Sequence, residues 1–159
     1  MRAAIITVST SRSQSGGTDE SGERLARLVE RLELDLAGRE LIPDDVKQIE
    51  ARLRHWADVE RCELILTTGG TGVSPNDLTP EATRMVIERE IPGISHAMLE
   101  ASRAHTPYWM LSRGIAGTRG GSIIINFPGS PRSIEQTGET LIEALPHAIR
   151  LLTGAPSPH

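Results

Sequence analysis

Ala3-Ala4-Ile5-Ile6-Thr7-Val8 is an unbroken apolar run rich in β-branched residues, the pattern of a strand covered on both faces and ending near Ser9. A polar stretch from Ser9 to Ser21 follows, after which Leu25, Leu28, Val29 and Leu32 recur at the spacing of one helix face. Residues 34–42 supply a second strand, and Val46, Ile49, Leu53 and Trp56 again fall at helical spacing. Leu64-Ile65-Leu66 is a further buried strand. Pro80 lacks an N–H that the first turn of a helix leaves unpaired anyway, so it predicts a helix start with Thr79 as the cap. Pro92-Gly93 predicts the end of that helix. Residues 109–111 and 122–125 read as strands, and Ser130-Pro131 opens a helix carrying Ile134, Leu141 and Leu145, with Pro146 starting a separate last turn or two.

Strand and helix patterns therefore alternate along the chain, which predicts an α/β fold of three αβα layers around a mostly parallel sheet. No linker or repeat interrupts residues 1–154, expected to form one domain, and residues 155–159 read as a loose, flexible tail. In open sheets of this kind ligands bind beyond the carboxyl ends of the strands, so the polar loops after the strands are where chemistry is expected.

Composition narrows the functions those loops can serve. The 17 basic residues are outnumbered by 21 acidic ones and form no run, so neither nucleic acid nor a membrane surface is an expected partner. A small anion or a nucleotide stays open. Four aromatic residues, Trp56, Tyr108, Trp109 and Phe127, are too few for a platform that stacks single-stranded bases. No apolar run approaches the roughly 18 residues of a membrane helix. Cys62 has no disulfide partner and the first strand starts almost at Met1, without an apolar leader, so a cytoplasmic protein is expected. The five His residues and Cys62 show neither CxxC nor HExxH spacing, which disfavours a transition-metal site.

Four loops follow predicted strands: residues 9–12, 43–45, 67–79 and 126–132. Thr67-Thr68-Gly69-Gly70-Thr71-Gly72 carries three glycines, which leave backbone N–H groups bare and permit the positive φ angles that wrap a chain around an anion. The same glycines also suit an ordinary strand-to-helix turn. Asn76, Asp77 and Thr79 follow closely, and Asp77 is a hard carboxylate able to hold Mg²⁺ beside phosphates. No GxxxxGK[ST], complete dinucleotide fingerprint or GxSxG occurs, so a P-loop, a typical Rossmann turn and a nucleophile elbow are all disfavoured. Asp45-Val46-Lys47-Gln48 has capping-box spacing, with Asp45 as cap and Gln48 reaching back. That leaves Asp44 either to face the cleft with Asp77 or to sit in a solvated turn. In Asn126-Phe127-Pro128-Gly129-Ser130-Pro131-Arg132 a glycine turn, a helix N-terminus and an Arg all favour an anion. Ser112-Arg113 is a weaker candidate of the same kind.

Taken together, Leu66-Thr67-Thr68-Gly69-Gly70-Thr71-Gly72, Asp77 with Thr79-Pro80-Glu81-Ala82, and Asn126 to Pro131 resemble the molybdenum cofactor biosynthesis proteins of the MogA/MoaB type, also seen as the G domains of gephyrin and its plant counterpart. Thr7-Val8-Ser9, Asp19-Glu20-Ser21-Gly22, Ile42-Pro43-Asp44 and Leu111-Ser112-Arg113 extend the likeness over nearly the whole chain. The resemblance implies a molybdopterin adenylyltransferase that joins ATP and molybdopterin in the presence of Mg²⁺, releasing pyrophosphate. A non-catalytic molybdopterin-binding module of the same fold is the alternative. It further implies a homotrimer and hand-over of the product to a molybdenum-insertion enzyme. Asp44 and Asp77 align with the family's metal-binding and adenylyl-transfer carboxylates, and Gly69, Gly70, Thr71 and Gly72 with its nucleotide and phosphate turn. Ser9, Asp19, Ser21, Gly22, Ser112, Gly129 and Ser130 match positions near the pterin and phosphate pocket. Thr10, Asp45 and Phe127 stand where many relatives have Asp, Glu and Leu.

Overall fold

A computed structural model describes residues 1–155. The first half runs β1 (Arg2–Val8), α1 (Thr10–Ser15), α2 (Glu20–Arg31), β2 (Asp35–Ile42), α3 (Val46–Arg54) with a π turn (His55–Val59), then β3 (Leu64–Thr68) and α4 (Thr79–Arg84). The second runs β4 (Arg89–Glu90), α5 (Pro92–Arg103), a 3₁₀ turn (Trp109–Leu111), β5 (Ala116–Arg119), β6 (Ser122–Phe127), α6 (Pro131–Glu139) and α7 (Ala144–Thr153). The strands form one sheet in the order β2-β1-β3-β6-β5-β4. β2, β1, β3 and β6 are parallel, β5 pairs antiparallel with β6, and β4 pairs antiparallel with β5.

The continuous apolar runs are strands buried on both sides. Ala3 and Ile5 of β1, Leu64 and Leu66 of β3, and Ile123, Ile125 and Phe127 of β6 pack under α2, α5, α6 and α7. The alternate residues Ala4, Ile6 and Val8, Ile65 and Ile124 meet α3, the π turn and α4. These are the three expected layers. Trp56 packs in the second cluster, against Gly38 of β2, where an added Cβ would lie 2.5 Å from the indole. Cys62 is fully buried.

Several elements differ from the pattern-based expectation. The polar stretch after Ser9 contains the short α1, capped by Ser9 and closed by Gly16 in the left-handed region. Pro92 does not end a helix but begins α5 as its first residue, the position proline suits best. Residues 109–111 coil into a 3₁₀ turn instead of a strand. Thr79 is not the cap of α4: Leu78 holds that position, and the Thr79 hydroxyl donates to the Gly69 carbonyl instead. Asp45 does cap α3 by accepting from the Gln48 N–H at 2.8 Å, but the Asp45 N–H donates to the Pro43 carbonyl, so Gln48 is not its partner. α6 stops at Glu139, leaving Leu141 in a turn, and α7 begins two residues before Pro146. Of the tail predicted after Gly154, only Ala155 lies within the described residues.

Candidate functional site

Parallel pairing of β2, β1, β3 and β6 brings the ends of these four strands to one edge, and hydrogen bonds tie together the loops that leave it. Asp44, just beyond β2, accepts from both the N–H and the hydroxyl of Thr10 at 2.8 Å each, on the carboxylate oxygen Oδ2. Thr68 at the end of β3 donates to the Pro128 carbonyl, and Ser21 donates to the Gly129 carbonyl, both at 2.7 Å. All four candidate loops converge.

The glycine turn is shaped by contacts that other residues cannot make. Gly69 has φ +93° and lies so close to β1 that an added Cβ would sit 2.3 Å from the Val8 carbonyl oxygen. Gly70 has φ +63°, with its Cβ position 2.5 Å from the Thr79 hydroxyl. Gly129 approaches from the other side, its Cβ position 3.3 Å from the Gly69 Cα. The 67–72 and 128–130 turns thus touch.

Accounting for their backbone groups reveals a polarity. The Gly69 carbonyl accepts from the Thr79 hydroxyl and the Gly70 carbonyl from the Thr79 N–H. The Thr71 carbonyl accepts from the Arg113 N–H, and the Gly72 carbonyl from Arg113 Nε at 2.6 Å. Four consecutive acceptors are occupied. Among the described residues no acceptor takes the N–H groups of Gly69, Gly70, Thr71 or Gly72. The second turn repeats the arrangement: the carbonyls of Pro128, Gly129 and Ser130 are taken by Thr68, Ser21 and Ile134, while the N–H groups of Gly129 and Ser130 have no partner there. α6 starts directly after it with no side-chain cap, which adds the positive end of a helix dipole. Two touching turns with occupied carbonyls and free amides form a binding surface for anions.

The two carboxylates flank this surface. Asp44 Oδ1 is 3.2 Å from the Cβ position of Gly70, and Asp77 Oδ2 is 2.8 Å from that of Gly72. Asp77 Oδ2 accepts from the Ser74 N–H at 2.9 Å, and the Asp77 N–H donates to the Ser74 carbonyl. One oxygen of each carboxylate, Asp44 Oδ1 and Asp77 Oδ1, has no hydrogen-bond donor among the described residues. No cluster of three or more His, Cys, Asp or Glu able to enclose a metal exists among the described residues. Mg²⁺ does not require such a cage, since it is usually held by one or two carboxylates together with substrate phosphates and water. The donor set therefore fits that ion.

The remaining predicted residues divide into a contact layer and a supporting layer. Ser112 borders a cleft of about 240 Å³ between α5 and α6, whose walls also include Gly114, Pro128 and Ser133. Ser9 borders the site as the cap of α1, and Ser130 is exposed at the start of α6. Asp19, Ser21 and Gly22 sit behind the second turn. Asp19 caps α2 through the Gly22 N–H and accepts from the Thr7 hydroxyl, both at 2.9 Å, and an added Cβ on Gly22 would collide with both partners. Arg132 is exposed and has no carboxylate partner among the described residues.

Sequence reasoning missed the residues that hold the turns from behind. Arg113 does more than a turn residue: its half-exposed guanidinium binds the carbonyls of Gly72 and Asp77 and pairs with Glu81. That pairing holds the Glu81 carboxyl below the usual range and the guanidinium above its own. Asn126 is buried under the first turn, donating to the hydroxyls of Thr67 and Thr83 while its Oδ1 accepts from the Ile115 N–H. The sequence signal for that network is an Asn set inside the apolar run Ile123 to Phe127.

Residues 4–147 match the family described as a probable molybdopterin binding domain. The chain is 38% identical over 149 residues to the molybdenum cofactor synthesis protein cinnamon of Drosophila melanogaster, covering 93% of this chain and 25% of that one. It is 33% identical over 168 residues to the molybdopterin adenylyltransferase of Haemophilus influenzae, covering 97% of this chain and 85% of that one. It spans 22% of gephyrin from Dictyostelium discoideum and 65% of the adenylyltransferase of Helicobacter pylori J99. The structure of the molybdopterin biosynthesis enzyme MoaB from Thermus thermophilus superposes with a TM-score of 0.91 at 41% identity, covering 98% of both chains. With its six-stranded sheet, the chain belongs to the molybdopterin-binding domain family of molybdenum cofactor biosynthesis proteins.

Proposed function

We propose that this chain is a molybdopterin adenylyltransferase. The observation that carries the reading is the pair of touching turns with free amides, edged by Asp44 and Asp77. An oxygen of the molybdopterin phosphate attacks the α-phosphorus of ATP, a new P–O–P bond forms, and the bond from that phosphorus to the β-bridging oxygen breaks, releasing pyrophosphate. The nucleophile belongs to the substrate, in keeping with a site that offers no activated Ser or Cys, and Cys62 is buried away in the core. The protein's task is to hold two phosphate groups in line and to offset their charge.

The amides of residues 69–72 and 129–130 receive phosphate oxygens, and because their carbonyls are already bonded the donors need no rearrangement as charge builds. One such preorganised donor is worth on the order of 3 kcal/mol in the transition state, as for oxyanion holes. Asp77 and Asp44 would hold Mg²⁺, which when bound supplies charge neutralisation between the attacking phosphate and the triphosphate. The cleft bordered by Ser112 and Ser133 is the natural berth for an organic part of the substrates. The same reading has the protein working in the cytoplasm as a homotrimer that passes its product to a molybdenum-insertion enzyme. The exposed side chains of Met110 and Leu111 on the 3₁₀ turn, and of Tyr108 just before it, support a covering subunit. No helix among the described residues is long and apolar enough to cross a membrane.

The test is pyrophosphate release from ATP, Mg²⁺ and molybdopterin. The unmutated protein is expected to turn over, and Asp77→Asn to abolish release while circular dichroism stays unchanged. Molybdopterin binding without pyrophosphate from the unmutated protein would overturn the reading in favour of a non-catalytic binding module.

A further inference from the structure

Arg113 bonds two carbonyls of the phosphate-binding turn, and its remaining bonds run to a carbonyl and a carboxylate of the neighbouring segments. Its N–H donates to the Thr71 carbonyl at 2.8 Å, its Nε to the Gly72 carbonyl and its Nη2 to the Asp77 carbonyl, each of the last two at 2.6 Å. Nη1 is bonded to Glu81 on the first turn of α4. One side chain therefore closes the loop of residues 72–77 at both ends and anchors it to a helix. Inside that closed loop the Ser74 N–H meets Asp77 Oδ2 and the Asp77 N–H meets the Ser74 carbonyl. The loop's own tip gives it little else, since residues 73–76 are exposed.

We propose that Arg113 is a positioning residue for adenylyl transfer: it fixes the direction of the amides at 71–72 and the place of the Asp77 carboxylate without contacting substrate. This rests on the adenylyl-transfer reading given above. A planar guanidinium suits the task because its donors diverge in one plane, so three acceptors on different segments are held at fixed angles, which the single ammonium of lysine does not reproduce. The position also links two parts of the site. Ser112 and Gly114, the neighbours of Arg113, both border the cleft, and Gly114 is packed so tightly that an added Cβ would lie 2.9 Å from the Asn126 carbonyl oxygen. The segment that lines the cleft is thus the same one that braces Asp77, and it is backed by β6.

The experiment compares Arg113→Ala, Arg113→Lys and Glu81→Gln in the full chain, with two readouts. In hydrogen exchange, the amides of Ser74 and Asp77 in Arg113→Ala are expected to exchange at least about tenfold faster, while those of β3 and α3 stay within about twofold. In the pyrophosphate assay, the Mg²⁺ concentration giving half the maximal rate is expected to rise about tenfold, a shift that mere loss of folded protein would not cause. Arg113→Lys should fall between the two. Glu81→Gln leaves the three backbone bonds in place and should change both readouts by less than about threefold. Unchanged exchange at residues 72–77 in both Arg113 variants, or an unchanged Mg²⁺ requirement in an active variant, overturns the proposal. Should Arg113→Ala not fold, Arg113→Lys decides by the same criteria. If the unmutated protein releases no pyrophosphate, the adenylyl-transfer reading fails by itself, and with it the catalytic part of this one, while exchange still tells whether Arg113 holds the loop.

Discussion

Substituting Gly69 by alanine separates the two reasons for a glycine at that position. The first is conformational: φ is +93°, and a left-handed backbone costs an L-residue about 1–2 kcal/mol. The second is steric, because the new Cβ would sit 2.3 Å from the Val8 carbonyl oxygen, well inside the 3.0 Å that real Cβ atoms keep. Val8 ends β1, which is paired with β2 on one side and β3 on the other, so neither partner is free to retreat. Crowding of this sort in a packed interior adds about 1–3 kcal/mol. Gly16 is the internal control: it has φ +66° at the end of α1, and nothing lies within 4 Å of its Cβ position. Gly16→Ala should therefore cost about 1–2 kcal/mol and Gly69→Ala about 2–5 kcal/mol. In urea unfolding with a slope of about 2 kcal/mol/M, the Gly69 variant's midpoint should fall by about 1–2.5 M and the control's by no more than about 1 M. If the two variants lie within about 0.5 kcal/mol of each other, the close approach of the turn to β1 does not constrain it, and the steric argument is wrong.

Two other substitutions examine the scaffold under the site. Asn126→Ala removes three hydrogen bonds from a buried network, two to threonine hydroxyls and one from the Ile115 N–H, and should destabilise by about 2–4 kcal/mol in urea or thermal melts; a loss under about 1 kcal/mol would mean water replaces the amide. Burial pushes the Cys62 thiol up, so the folded state resists forming the thiolate that the unfolded chain forms above about pH 8.5. Its contribution is complete below that pH and is lost as pH rises toward the folded value, so the urea midpoint should decline in alkali and decline less in Cys62→Ala; identical pH slopes would exclude it.

The parts of the fold that the sequence announces are those with a local cause. β1, β3 and β6 are continuous apolar runs because the sheet is covered on both faces there. β5 is Ala-Gly-Thr-Arg and β4 only two residues, too short and too weakly β-forming to stand out without the β6 edge that recruits them. α5 escapes notice because Pro92-Gly93 marks a break equally well on either side, and only packing of Met98 into the core decides for a start. The site divides the same way. Gly69, Gly70 and Gly72 and the carboxylates at 44 and 77 declare themselves by residue type. Arg113 does not, since its partners are 41 and 36 residues away in the chain, and nothing local distinguishes a brace from a solvated arginine.

If the turns hold phosphate as proposed, a main-chain grip has a chemical consequence for the range of conditions in which this protein can work. Peptide N–H groups at residues 69–72 and 129–130 do not titrate near neutrality, unlike a histidine cradle. The share of the grip these amides supply should therefore follow the ionisation of the ligand, and stay level across the interval in which that phosphate keeps its charge.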